Sequence, residues 1–202
     1  CALKIARKWG KGQRGEECYE IITFTGSFHG RTMGSVSATA QPKYQAPFAP
    51  LVPGFHYAPF NDIETVQSLI SERTCAIMLE PIQGESGINI ATPEFLSGLR
   101  ALCDNHNLLL ICDEVQCGMG RTGSFLGCQT LGVLPDVVTM AKGIADGFPM
   151  GACLARGSAA TTLVPGDHGC TFGGQALACA TSLATLEVIQ EESLMPHSER
   201  VG

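Results

Sequence analysis

The chain has 202 residues, 13 Lys+Arg against 19 Asp+Glu for a net charge of −6, and only 16% charged residues beside 45% apolar ones. Low charge with ample apolar content is the reverse of the disordered signature, and an acidic balance without a basic stripe argues against a nucleic-acid partner. Charge-free runs at 44–61 and 169–186 are broken by Pro, or by Gly, Gln and Thr, so neither reads as a membrane span.

In chain order, CALKIARKWGKG sets Leu3, Ile5, Ala6 and Trp9 at helical spacing among basic residues. That pattern predicts an amphipathic helix which Gly10 stops and whose start lies outside the chain. YEIITF (19–24) reads as a short strand, a helix follows around 32–40, and Pro42, Pro47, Pro50, Pro53 and Pro59 mark a loop. Asp62 should cap a helix running to about Ser71. CAIMLEP (75–81) is a strand, and 93–106 a helix with Thr92 as N-cap and Pro93 at its first position. LLLICDEV (108–115), PDVVTMAK (135–142) and GACLA (151–155) are three more strands, and 174–190 is a long closing helix. Near-continuous apolar strands alternating with helices predict one α/β domain, three layers deep (α/β/α), around a mostly parallel sheet buried on both faces.

Ten cysteines include no C-x-x-C pair and five histidines no H-x-x-x-H pair, so no metal site is expected. Cys112 and Cys153 sit in apolar runs, where a reduced thiol behaves as a small hydrophobe. With no signal-peptide pattern and no N-x-[ST] sequon, the expected setting is reducing and cytoplasmic.

Three motifs bear on chemistry. LLLICDE has the form of an ATPase Walker B strand, but its G-x-x-x-x-G-K-[ST] partner is absent. GMGRTG (118–123) matches G-x-G-x-x-G, yet a glycine-broken, proline-ended segment follows where a dinucleotide site needs a helix, so a loop using positive φ is expected. The third is a set: Glu80, Asp113 and Lys142 each end an apolar strand, the edge at which parallel sheets bind ligands. A lysine and a carboxylate there suit pyridoxal phosphate, which takes a lysine in Schiff-base linkage and an acid at its pyridinium nitrogen. A plain ion pair between Asp113 and Lys142 is the alternative.

Read together, SFHGRT (27–32), EPIQGESG (80–87), DEVQCGMGRTG (113–123), AKGIADGFPMGA (141–152) and GDHGCTFGG (166–174) resemble class III, ornithine-type, aminotransferases. The likeness covers nearly the whole chain in the family's order and is nearest to its acetylornithine-using members. It implies the large domain of a fold-type I pyridoxal-phosphate enzyme, with Lys142 as the Schiff-base lysine and Asp113 as the pyridinium partner. Gln116 would bond the cofactor's phenolic oxygen, Phe28 would stack on the ring with His29 beside it, and Glu114 and Val115 would belong to the same cofactor-binding run. Arg31 would grip a substrate carboxylate, for which a planar fork is suited. Glu85 would pair with an arginine of a later segment and Glu80 would order the site from behind. Cys170 and Thr171 would reach across a homodimer interface, threonine to the neighbour's cofactor phosphate and cysteine towards substrate.

Cys170 stands where the family pattern has serine, Gln175-Ala176 replaces Asn-Pro, and Asp146 interrupts a glycine-rich stretch. The implied reaction passes the ω-amino group of N-acetylornithine, or of ornithine, succinylornithine or 4-aminobutyrate, to 2-oxoglutarate, leaving a semialdehyde and glutamate. By the same resemblance, 1–191 is a large domain incomplete at its start and 192–202 begins the connection to a small domain. The phosphate loop lies upstream, and the 202 residues alone are expected to be inactive. A non-catalytic binding or oligomerisation module of the same fold is the rival reading.

Overall fold

In the computed structural model, which describes residues 1–202, eight strands form: β1 (Glu20–Phe24), β2 (Phe55–Ala58), β3 (Thr74–Leu79), β4 (Ile82–Gln83), β5 (Asn89–Ile90), β6 (Leu109–Asp113), β7 (Val137–Met140) and β8 (Ala152–Ala155). Six of them make one sheet in the order β2-β1-β3-β6-β7-β8, while β4 and β5 form a separate antiparallel pair. The sheet is parallel except for β8, which runs antiparallel to β7. The helices are α1 (Ala2–Arg14), α2 (Met33–Ala38), α3 (Pro42–Gln45), α4 (Ile63–Leu69), α5 (Pro93–His106), α6 (Gly127–Thr130), α7 (Gly157–Ala160), α8 (Ala176–Glu191) and α9 (Leu194–Val201).

Alternation along the strands builds the three layers. Ile22, Phe24, Ile77, Leu79, Leu110 and Cys112 face α4 and α5, meeting Val66, Phe95, Leu96, Leu99 and Cys103. The intervening residues Ile21, Ala76, Met78, Leu109, Ile111 and Val137 face α1, meeting Ala2, Ile5, Ala6 and Trp9. Burying each large side chain of this kind stabilises by about 1.5–3 kcal/mol, which is why β1, β3 and β6 are apolar almost without interruption. Phe24, Phe60 and Phe95 add edge-on ring contacts at 5.4–5.9 Å.

Helix boundaries follow local chemistry. Thr92 accepts from the Phe95 amide at 3.1 Å and Asp62 from the Thr65 amide at 3.0 Å. Gln175 accepts from the Ala178 amide at 2.7 Å, so this unusual residue caps α8 itself. Asn107, left-handed at φ 51, ends α5.

Three expectations need correction. Helix α1 runs through Gly10 to Arg14. A Cβ at Gly10 would lie 2.4 Å from both the Cys18 carbonyl oxygen and Cys75 Cβ, so that glycine serves close packing of α1 on the sheet, not termination. The proline-rich stretch is not a plain loop but contains α3 and edge strand β2, which pairs with β1. Strand β7 ends at Met140, which leaves Lys142 beyond it, on a single 3-10 turn (Lys142–Ala145).

GMGRTG forms turns, with Gly120 and Gly123 at φ 83 and 92. A Cβ at Gly120 would come 2.8 Å from Met195 Cγ, and one at Gly123 would come 2.8 Å from Glu199 Cβ, so the glycines admit α9 against this loop. All ten cysteines are free thiols. Burial pushes Cys75 and Cys117 up to about 12, which keeps both as thiols at neutral pH. No helix is long and apolar enough to cross a membrane.

Candidate active site at the carboxyl edge of the sheet

Parallel strands deliver their C-terminal ends to one edge, and four neighbours, β1, β3, β6 and β7, each bring a polar or aromatic group there. After β1 the chain turns through buried Ser27 to Phe28 and His29. The Phe28 amide donates to Glu80 Oε2 at 2.8 Å, and the His29 amide donates to Thr39 Oγ1 at 2.8 Å. Glu80 directly follows β3, Asp113 is the last residue of β6, and Lys142 lies two residues past β7.

Asp113 is held from two sides. His29 Nδ1 approaches its Oδ2 at 2.8 Å, and the Val115 amide donates to its Oδ1 at 3.2 Å. Both side chains of the Asp113–His29 pair are almost wholly buried, so the imidazole orientation is fixed by a bond within a low-dielectric setting. His29 Nε2 is buried without a partner.

Phe28, His29, Glu80, Asp113, Gln116 and Lys142 line a recess of ≈ 90 Å³. Val115, Gln116 and Lys142 also border a wider cleft of ≈ 1320 Å³ that extends to α8 and α9. Lys142 adopts φ 47, a left-handed conformation unusual outside glycine and asparagine. Such a backbone costs on the order of 1–3 kcal/mol and gathers at functional positions. Lys142 and Asp113 form no ion pair. The one carboxylate within reach of Lys142 Nζ is Glu85, at 4.0 Å, between half-exposed side chains, an arrangement of little energetic weight. Gln116 Nε2 donates to the same Glu85 oxygen at 3.1 Å. A Cβ at Gly84 would fall 2.5 Å from Gln116 Oε1, so the glycine lets that amide lie against the β4–β5 hairpin.

Glu80 is the most perturbed acid. Burial pushes its carboxyl up to about 7; His29 and the Phe28 amide oppose the shift, and Asp113 and Glu85 add to it.

The other candidates are scattered. Val115 lines both cavities, whereas Glu114 lines neither. Its two carboxylate oxygens accept from the Gly127 and Cys128 amides, each at 2.8 Å, at the start of α6. Its side chain therefore ties down a loop on the far side of β6, a use that the DEVQ motif alone could not reveal. Arg31 is exposed near Phe28, its guanidinium carbon 5.3 Å from that ring's centroid. Cys170 and Thr171 are exposed in the turn before α8 and border neither cavity of this chain. Thr39, which holds the His29 backbone, and Gln41, which ties the same loop, went unread in the sequence. Both are buried polar residues at the edge of a proline-rich stretch, and that is the signal that could have singled them out.

An amine, an anchored carboxylate, an amide and an aromatic ring on one recess form a donor set that fits pyridoxal phosphate. No group of three or more His, Cys, Asp or Glu is placed to hold a metal ion.

A family model described as Aminotransferase class-III matches residues 1–202. An acetylornithine aminotransferase of Methanopyrus kandleri is 49% identical over 202 residues, covering 100% of this chain and 50% of that protein. A succinylornithine transaminase of Yersinia pseudotuberculosis is 49% identical over 201 residues, covering 96% and 48%. Among solved structures, the Toxoplasma gondii ornithine aminotransferase with PLP at partial occupancy in its active site superposes with a TM-score of 0.94 at 36% identity, covering 100% and 49%. The chain spans about half the length of the curated relatives it matches.

Proposed function

The chain belongs to the class-III aminotransferases, and from that premise we propose that the full-length protein passes the ω-amino group of N-acetylornithine to 2-oxoglutarate. Pyridoxal phosphate, the cofactor of this family, supplies when bound an aldehyde carbon that takes up an amine and a ring that withdraws electrons from the substrate carbon. One observation carries the reading. Lys142 and Asp113 line the same recess from adjacent parallel strand ends, unpaired with each other, and Asp113 is locked by His29 and the Val115 amide.

Each residue then has work suited to its chemistry. Lys142 holds the cofactor by its amine and, when released, is the base that takes a proton from the substrate carbon and returns one nearby. Asp113 keeps negative charge opposite the ring nitrogen, and His29 keeps Asp113 in place. Phe28 offers a ring face, and Gln116 an amide for a phenolic oxygen. Val115 gives its backbone amide to Asp113 and closes the recess wall. Glu85, already near Gln116 and Lys142, is free to swing to a cation as the two substrates alternate. Arg31, with no ion pair or hydrogen bond of its own, offers a free fork to a substrate carboxylate. Thr171 and Cys170 act on the neighbour's site in a homodimer, as their exposure allows, and the substrates are small amino and oxo acids.

Full-length protein treated with borohydride in the presence of cofactor is expected to carry a pyridoxyl group on Lys142, located by mass spectrometry, and Lys142→Ala none. The variant should lose at least about 10²–10⁴-fold in the rate of glutamate formation from N-acetylornithine and 2-oxoglutarate. Labelling elsewhere, or an unimpaired variant, would refute the lysine assignment. Parallel assays with N-succinylornithine, ornithine and 4-aminobutyrate identify the donor.

A further inference from the structure

Arg31 does not extend freely into solvent. Its guanidinium carbon lies 4.2 Å from the Tyr44 ring centroid and 5.3 Å from that of Phe28. The two rings meet edge to face, with centroids 5.6 Å apart. Arg31, Tyr44 and Phe28 therefore form a triangle of mutual contacts, in which Tyr44 is the ring nearer the guanidinium and Phe28 the one that lines the recess. Lys43 Nζ sits 4.7 Å from the same tyrosine ring. Neither cation has a carboxylate or carbonyl partner, so two uncompensated positive charges gather on one aromatic platform, where an anion would be attracted.

The platform is fixed to the loop that carries Phe28 and Arg31. Buried Gln41, the residue before α3, donates from Nε2 to the Ser27 carbonyl at 2.9 Å and to the Gly26 carbonyl at 3.2 Å. Thr39 accepts from the His29 amide, and Ala40 bridges in parallel to Thr25. Through these ties α3 and its Tyr44 keep one position relative to Arg31.

We propose that Tyr44 is a positioning residue for substrate recognition: its ring holds the Arg31 guanidinium flat, with the fork edge free to receive the α-carboxylate of the amino donor. Stacking uses the face of the guanidinium and leaves its N–H edge unspent, which is the edge a carboxylate engages. It also removes rotamer freedom from a long side chain before the ligand arrives. The inference rests on the reading of Arg31 as the carboxylate anchor.

The test uses full-length, cofactor-loaded protein and two unreactive probes followed by calorimetry. N-acetylnorvaline keeps the acyl group and carboxylate but has no ω-amine, and N-acetylnorvalinamide lacks the charge as well. Arg31→Gln and Tyr44→Leu should each weaken the carboxylate probe about fivefold or more, and Tyr44→Phe, which keeps the ring face, less than twofold. The amide should bind all four proteins alike. Loss with Arg31→Gln but not with Tyr44→Leu overturns the role of Tyr44 alone. Indifference of the carboxylate probe to Arg31→Gln, or no binding of it to the unaltered protein, overturns the reading of Arg31 and the proposal with it. Equal weakening of both probes in Tyr44→Leu marks a general disturbance of the site and also counts against the proposal.

Discussion

Glu80 joins two roles in one buried side chain. Its carboxyl accepts the Phe28 amide, and at 3% exposure its charge is carried at a cost. The folded state raises it from an ordinary 4.5 to about 7, so folding favours the protonated form. The associated stability is complete below pH 4.5 and is lost as pH rises through 7, a swing of roughly 3 kcal/mol. Gln at this position has no charge to desolvate. Glu80→Gln should therefore gain about 3 kcal/mol relative to the unaltered protein between pH 4.5 and 8, measured by urea unfolding of the cofactor-free full-length chain. A difference that stays constant with pH would mean that Glu80 is not held in the unfavourable setting its burial describes. The acid that flanks it, Asp113, differs by its partners: an imidazole and a backbone amide, where Glu80 has only the amide.

Helix α1 contains two glycines with opposite meanings. A methyl at Gly10 would collide with the Cys18 carbonyl and Cys75 Cβ at 2.4 Å, whereas one at Gly12 would meet nothing within 4 Å. Alanine is the better helix former by about 1 kcal/mol at either position. Overpacking a tight contact costs about 1–3 kcal/mol, so Gly10→Ala should destabilise and Gly12→Ala should stabilise by about 0.5–1 kcal/mol, in chemical denaturation of full-length protein. Equal effects would refute the close approach of α1 to the sheet. The pair shows where sequence reasoning stops. Strands β1, β3 and β6 were legible because burial on both faces leaves a nearly uninterrupted apolar run, and α5 because Thr92 and Pro93 mark its start. Gly10 was misread because a helix breaker and a packing notch are the same residue until the opposing surface is known. Strand β2 was hidden because an edge strand tolerates the flanking prolines. At the site, the strand-end placement of Asp113 and Glu80 could be read from the pattern. The burial of Glu114 against the start of α6 and the placement of Arg31 over the Tyr44 ring depend on partners that no local pattern around either residue announces.

At the scale of the molecule, the low charge content finds its place on the surface as well as in the core. Helix α8 buries only Ala178 and Ser182, leaving Leu177, Leu183 and Val188 exposed, and nearby Phe172 is 83% exposed. Apolar surface gathered in this way marks contact with further polypeptide. In the proposed homodimer Phe172, adjoining Thr171, falls in that contact, so Phe172→Asp should shift the full-length protein from dimer towards monomer in sedimentation at micromolar concentration. An unshifted dimer would exclude the segment from the interface. The strand order has a consequence for the history of each molecule. From β3 onward, successive strands β6, β7 and β8 are laid on the same open side in the order in which they are synthesised. A ribosome adding roughly 5–20 residues per second extrudes β1 on the order of ten seconds before Lys142. During that interval the sheet can grow by one strand at a time, each finding its neighbour already in place, while Glu80 and Asp113 stand at its edge before the lysine is made. The lysine arrives just past the last parallel strand, so the chemistry becomes available only to a chain whose parallel strands have already been made.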